Sequence, residues 1–154
     1  VLKSFYISKR IKNNSEIDLD YVKDKNIFGM TNTAVNVNAL GKVEFDDNLV
    51  AVDWYLFSVL LSNGRKAVFT NETETFYRQY SGNTVGLGKV CNESIMNGID
   101  VKLKHYQLMR KVDCGFERLY RDMVSMRDNL DGKGLLEQSG KNLFWWEEIR
   151  DTEK

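Results

Sequence analysis

Val50-Ala51-Val52-Asp53-Trp54-Tyr55-Leu56-Phe57-Ser58-Val59-Leu60-Leu61 is the densest apolar stretch of the chain. Val52, Trp54, Leu56, Phe57, Val59, Leu60 and Leu61 surround almost the whole barrel of a helix, and such all-round apolarity predicts a buried helix rather than a surface one. Asp46-Asp47-Asn48 offers side-chain oxygens that can cap a following segment. Asn63-Gly64 is a C-terminal stop, because a residue with easy access to positive φ ends helices well. The one charge inside the stretch, Asp53, falls at the mouth of this helix, where the helix dipole favours an anion. A carboxylate so placed can act as a general base. The plainer alternative is an ordinary helix-start residue satisfied by backbone N–H groups.

Outward from this helix the pattern changes twice. Upstream, Ala34-Val35-Asn36-Val37-Asn38-Ala39-Leu40 alternates apolar and polar and predicts a strand at period two, ended by Gly41. Before it, Ile27-Phe28-Gly29-Met30 meets the polar set Thr31-Asn32-Thr33, and Asn13-Asn14-Ser15 breaks the chain after an apolar 1–12 segment that reads as a helix or helix end. Downstream, Lys66-Ala67-Val68-Phe69-Thr70 reads as a short strand, Asn71-Glu72 as a turn, and 73–80 as a second strand or extended segment. Met109, Val112, Phe116, Leu119, Met123 and Met126 recur at spacings of 3, 4, 3, 4 and 3, an amphipathic helical stripe. They predict a long helix over roughly 93–129, interrupted near Asn97-Gly98. A loop at Asp131-Gly132-Lys133-Gly134 precedes a last element carrying Trp145-Trp146.

The second polar concentration is Tyr77-Arg78-Gln79-Tyr80-Ser81-Gly82-Asn83. In an extended segment Arg78 and Tyr80 share one face. Arg78 can grip a diphosphate in bidentate fashion, and Tyr80 can stack on a sugar; an ion pair with Glu72 or Glu74 is the alternative. The glycines Gly82, Gly86 and Gly88 open the following loop, but no Lys-Ser/Thr completes a phosphate-binding loop. His105 lacks a His or Cys partner one turn away, so it reads as a surface or packing histidine rather than a metal ligand. Asp46-Asp47 reads as an exposed capping pair, and Trp145-Trp146 as an aromatic anchor for the last element.

Length and composition bound the classes. At 154 residues the chain is one domain by size. Hydrophobic and charged residues make up 42% and 29%, the balance of an ordinary globular protein. Lys+Arg and Asp+Glu are both 22, which argues against a broad basic field for nucleic acid. Two cysteines, Cys91 and Cys114, are too few for a disulfide framework and fit no zinc spacing, so a reducing compartment is expected. No apolar run reaches the ~18 residues of a membrane span, and 1–10 lacks the apolar core of a signal peptide.

Taken together, D-W-x-L at Asp53-Trp54-Tyr55-Leu56, Gly64, and Y-R-Q-x-x-x-N-x-x-G from Tyr77 through Asn83 to Gly86 resemble the C-terminal, acceptor-side half of family 2 sugar-nucleotide glycosyltransferases. Gly29-Met30-Thr31-Asn32 resembles the loop lining that family's acceptor pocket, and Trp145-Trp146-Glu147 is similar to the ending of several rhamnosyltransferases. The resemblance covers roughly residues 26–88, with the tail matching loosely. It implies that Asp53 deprotonates the attacking hydroxyl, and that Trp54, Thr31, Asn32, Arg78, Gln79, Tyr80 and Asn83 bind substrate. Two departures accompany it. Tyr80 stands where many members have His, which bears on metal dependence. No acidic D-x-D motif follows a strand upstream, since Asp18-Leu19-Asp20 follows no apolar strand.

The expected fold is therefore α+β: a small mixed sheet, a buried helix and a helical C-terminal third, as a partial GT-A-like fold lacking the nucleotide-binding half. One domain is expected over 1–154, with an acceptor-side portion at 1–92 and a helical portion at 93–154. The resemblance implies the acceptor-binding and general-base half of an inverting transferase, inactive alone and completed in a longer protein. That protein would act in cell-surface polysaccharide synthesis, in the cytoplasm or against the inner face of the membrane. Its substrates would be a nucleotide sugar and a saccharide or lipid-linked acceptor. A divalent metal, Mg or Mn, belongs to that full-length enzyme; this chain itself is expected to hold none. Loss of a docking half would expose an apolar face, and a homodimer would cover it. Two other readings stand beside this one. In a non-enzymatic interaction domain the 109–126 stripe would pair with a partner helix. In a nucleic-acid-associated protein the basic Lys102, Lys104, Arg110, Lys111, Arg118 and Arg121 would bind phosphate, against the acidic neighbours.

Overall fold

The computed structural model describes residues 11–73 and 92–129. The expectations placed on 1–10, 73–80, the loop after Asp128 and Trp145-Trp146, together with Arg78, Gln79, Tyr80 and Asn83, lie wholly or in part outside the described residues. Among those described, the protein is a small α+β chain. In order it has β1 (Glu16–Ile17), α1 (Leu19–Val22), α2 (Val52–Ser62), β2 (Ala67–Val68), α3 (Asn92–Met109) and α4 (Phe116–Asp128). It forms two compact units, Val1–Glu44 with Asp53–Gly86 and Phe45–Val52 with Leu87–Lys154.

In the first unit β1 and β2 pair antiparallel, Glu16 opposite Val68 and Ile17 opposite Ala67. The expected mixed sheet is, among the described residues, this two-stranded antiparallel ribbon. Backbone pairing continues past the strand ends, with the Phe69 N–H donating to Ser15 O (2.9 Å) and the Asn14 N–H to Phe69 O (2.8 Å). Asn14 makes the turn at φ +60°, a conformation Asn tolerates better than most residues. Asp18 caps α1 by accepting the Tyr21 N–H at 2.8 Å. Ile11, Ile17 and Val22 form one apolar cluster with Leu61, Ala67 and Phe69 around it, and Leu56, Phe57 and Leu60 form a second with Phe28, Val35, Leu40 and Val43.

Helix α2 is the buried helix that its apolar pattern predicts. Trp54, Leu56, Phe57, Ser58, Val59 and Leu60 are all buried. Removing each large apolar side chain from water contributes about 1.5–3 kcal/mol, so the helix is held by what it buries rather than by helix propensity. It stops where Asn63-Gly64 predicts. The Gly64 N–H bonds to Leu61 O and the Arg65 N–H to Leu60 O, each at 3.0 Å, with Gly64 at φ +75°. Those two bonds satisfy the last carbonyls in the manner of a Schellman motif.

Two element predictions are corrected. The alternating stretch 34–40 is not a strand: Val37–Ala39 is a 3-10 turn. Asn36 decides this, because its side chain accepts the Asn38 N–H at 3.0 Å and offers the backbone a local partner in place of a ladder. The long helix over 93–129 is two helices, and the break falls at 110–115 rather than at Asn97-Gly98. Gly98 is buried within α3. The Val112 and Asp113 N–H groups close onto Met109 O (2.9 and 2.8 Å), and Asp113 then takes the Gly115 N–H on its carboxylate at 2.7 Å. An acidic turn residue followed by glycine ends one helix and starts the next.

In the second unit α3 and α4 pack on each other. Ile95, Ile99, Lys102, Tyr106 and Met109 are buried along α3, and Phe116 and Met123 along α4. Of the methionine-phenylalanine stripe, Met109, Phe116 and Met123 are thus inside this helical pair, Leu119 and Met126 are half-buried, and Val112 is 45% exposed in the connecting turn. No helix among the described residues is long and apolar enough to cross a membrane.

Candidate functional site

Asp53 stands in the first turn of α2, half-buried. Its Oδ1 accepts two hydrogen bonds, from the Trp54 N–H at 2.8 Å and from Asn26 Nδ2 at 3.0 Å. Oδ2 has no hydrogen-bond partner among the described residues. The carboxylate is therefore oriented through one oxygen, and the other is free to take a proton from a hydroxyl placed before it.

The 22–28 segment is strapped to α2 at three points. The Trp54 indole Nε1–H donates to Val22 O at 2.8 Å. Asn26 joins Asp53. Phe28 stacks on Phe57 with ring centroids 4.7 Å apart. Positions 53, 54 and 57 lie on one side of α2 by helical spacing, so a single helix face fixes the segment. Beyond Asn26 the chain turns tightly. Asn26 Oδ1 accepts the Phe28 N–H (3.1 Å), and Asn32 Oδ1 accepts the Gly29 N–H (2.6 Å) and the Thr33 hydroxyl (3.1 Å). A Cβ at Gly29 would meet Asn32 Oδ1 at 3.1 Å, so glycine is what lets the Asn32 carboxamide close over the turn.

Among the expected site residues, Asp53, Thr31 and Asn32 share this region. Thr31 and Asn32 are exposed, the latter holding its own turn. Trp54 is 2% exposed and is built into the core, so its contribution is to fix the helix against α1, not to offer a ring face. Asn26 is the participant that the sequence did not reveal; its only mark is an Asn just before the Ile-Phe-Gly run, the composition of any turn.

The remaining candidates are placed as follows. Asp18 is the α1 cap and Asp20 pairs with Lys23, so the D-x-D letters are used locally. Among the described residues no group of three His, Cys, Asp or Glu could hold a metal ion. His105 is fully buried, edge-on to Tyr106 and Phe116 at 5.8 Å each. Burial, with the Lys102 charge beside it, pushes its pKa down to about 3. Asp46 caps the Asn48 N–H (2.9 Å) and pairs with Lys104 (2.8 Å), and that Lys104 bond first, then the Asn48 N–H, holds its carboxyl below the usual range. Cys114 is an exposed free thiol.

The basic residues of α3, α4 and the turn between them are largely neutralised in place. Lys104 meets Asp46, Arg110 meets Glu117 (3.5 Å), Arg118 meets Asp122 (3.6 Å) and Arg121 meets Glu117 (2.9 Å). Arg110 also lies over the Tyr120 ring, 4.1 Å from its centroid. A shallow, open depression of about 470 Å³ runs along α4, lined by Tyr120, Arg121, Val124, Ser125, Asp128 and Asn129. Asp53, Trp54, Thr31 and Asn32 do not border it. No family model matches the chain, and neither a curated protein nor a solved structure does.

Proposed function

We propose that this chain is the acceptor-binding and general-base half of an inverting sugar-nucleotide transferase, with Asp53 as the base. One observation carries the reading. Asp53 is oriented by two donors on Oδ1, leaves Oδ2 unpartnered among the described residues, and is tied through Asn26 to the loop leading to Thr31 and Asn32. Those are the positions the motif resemblance assigns to the acceptor side.

In the proposed step an acceptor hydroxyl oxygen attacks the anomeric carbon. The new C–O bond forms as the bond from that carbon to the diphosphate oxygen breaks, and the nucleoside diphosphate leaves with the electron pair. The hydroxyl proton passes to Asp53 Oδ2. The N-terminal end of α2 favours the carboxylate before transfer. Arg78, Gln79, Tyr80 and Asn83 are proposed on the resemblance alone to hold the donor's diphosphate and sugar. A cytoplasmic setting, at or near the inner membrane face, belongs to the same proposal.

The interaction-domain reading is weakened, because Met109, Phe116 and Met123 of the stripe that called for a partner helix are buried in the α3–α4 pair, while Val112 is 45% exposed. The experiment is transfer of radiolabelled sugar from UDP-, GDP- and dTDP-activated donors to saccharide and lipid-linked acceptors, using the full-length protein that carries this chain. Asp53→Asn should abolish transfer while leaving nucleotide binding unchanged. Retained transfer in that variant sinks the proposal.

A further inference from the structure

We propose that Asn26 is the positioning residue for Asp53, an inference that rests on the general-base reading above. Asn26 is half-buried and uses both ends of its carboxamide. Nδ2 donates to Asp53 Oδ1 at 3.0 Å, and Oδ1 accepts the Phe28 N–H at 3.1 Å. The two bonds do different work. The second forms the local turn that leads into Gly29-Met30-Thr31-Asn32. The first spans 27 positions of sequence and fixes the rotation of a carboxylate whose backbone is already fixed by α2.

An aspartate side chain has only two torsions, so one directed donor on Oδ1 beside the Trp54 N–H suffices to choose where Oδ2 points. The same carboxamide therefore couples the direction of the base to the conformation of the loop on the acceptor side. Moving either member by about 1 Å would misplace the proton-accepting oxygen, an error worth about a hundredfold in rate.

The isosteric variant Asn26→Asp separates the two bonds. It keeps an oxygen for the Phe28 N–H, removes the donor to Asp53, and sets two carboxylates against each other. A close carboxylate pair takes up one proton more readily than either would alone, and that proton restores a donor between them. The expected result is a loss of about a hundredfold in kcat near pH 8. Nucleotide binding stays unchanged, and the deficit narrows as the pH is lowered toward 6. Asn26→Ala, which removes both bonds without adding charge, should lose at least as much in kcat, with the ratio to wild type constant over that range.

Each outcome decides something. A kcat deficit in Asn26→Asp that does not vary with pH, or wild-type kcat in Asn26→Ala, overturns the positioning role. Should Asn26→Asp fail to fold by circular dichroism, wild-type kcat in Asn26→Ala still overturns the positioning role, and a loss there supports it only with nucleotide binding and circular dichroism equal to wild type. Asp53→Asn, assayed alongside, keeps the two proposals apart. If it is inactive while Asn26→Ala is fully active, only the positioning role falls; if it is active, the base assignment falls and takes this inference with it.

Discussion

The Trp54 indole shows how one side chain that reads as a substrate contact is committed to structure. Its Nε1–H is bonded to Val22 O at 2.8 Å, and Val22 is fully buried, so no water can replace that donor. Trp54→Phe keeps most of the apolar contact and leaves that carbonyl only the longer bond from the Lys25 N–H (3.4 Å); the expected loss is about 1 kcal/mol in urea unfolding. Ser58 gives the opposite sign. Its Oγ is fully buried with no hydrogen-bond partner among the described residues. Ser58→Ala removes a desolvated hydroxyl at little cost in packing and should raise stability by about 1 kcal/mol in the same measurement. Asp53 stands out in the sequence as a candidate because it is the lone charge in an all-apolar helix. Asn26 does not, because its partner lies 27 positions away and a turn asparagine carries no period.

At the scale of elements, legibility followed the length over which a pattern could be read. Helix α2 repeats its apolar signal over 11 residues and was found with its stop. Strands of two residues carry no readable alternation, so β1 went unseen, while the alternation over 34–40 was answered by a 3-10 turn once Asn36 bonded its own neighbourhood. The 109–126 stripe kept helical phase across the 110–115 break, so periodicity ran through a turn that Asp113 and Gly115 make. The α2 stop yields a direct prediction. Gly64 sits at φ +75° with nothing within 4 Å of a Cβ built on it, so the obstacle to a side chain there is conformational, not steric crowding. Gly64→Ala should cost about 1 kcal/mol, and Gly64→Asn less, since Asn visits the left-handed region more readily; thermal unfolding of the three proteins gives the order.

Across the whole molecule, acid sensitivity follows from the one histidine. His105 sits within the α3–α4 packing against Phe116, and burial first, then the Lys102 charge, lowers its pKa from 6.5 to about 3. In the unfolded chain the imidazole titrates near its ordinary value, so below pH 6.5 the unfolded state binds a proton that the folded state refuses. Stability is then complete above pH 6.5 and falls as the pH drops, by up to about 1.4 kcal/mol per pH unit, until the folded-state value near 3 is reached. Carboxylates add their own terms at the acid end, so the window from pH 6.5 to 5 isolates the histidine. His105→Leu, close in size and unable to ionise, should remove the slope in that window whatever it does to stability at neutral pH. Urea unfolding of both proteins at pH 7, 6 and 5, followed by far-ultraviolet circular dichroism, measures the difference. Parallel curves for wild type and His105→Leu would mean that the buried imidazole takes up its proton without loosening the helical pair.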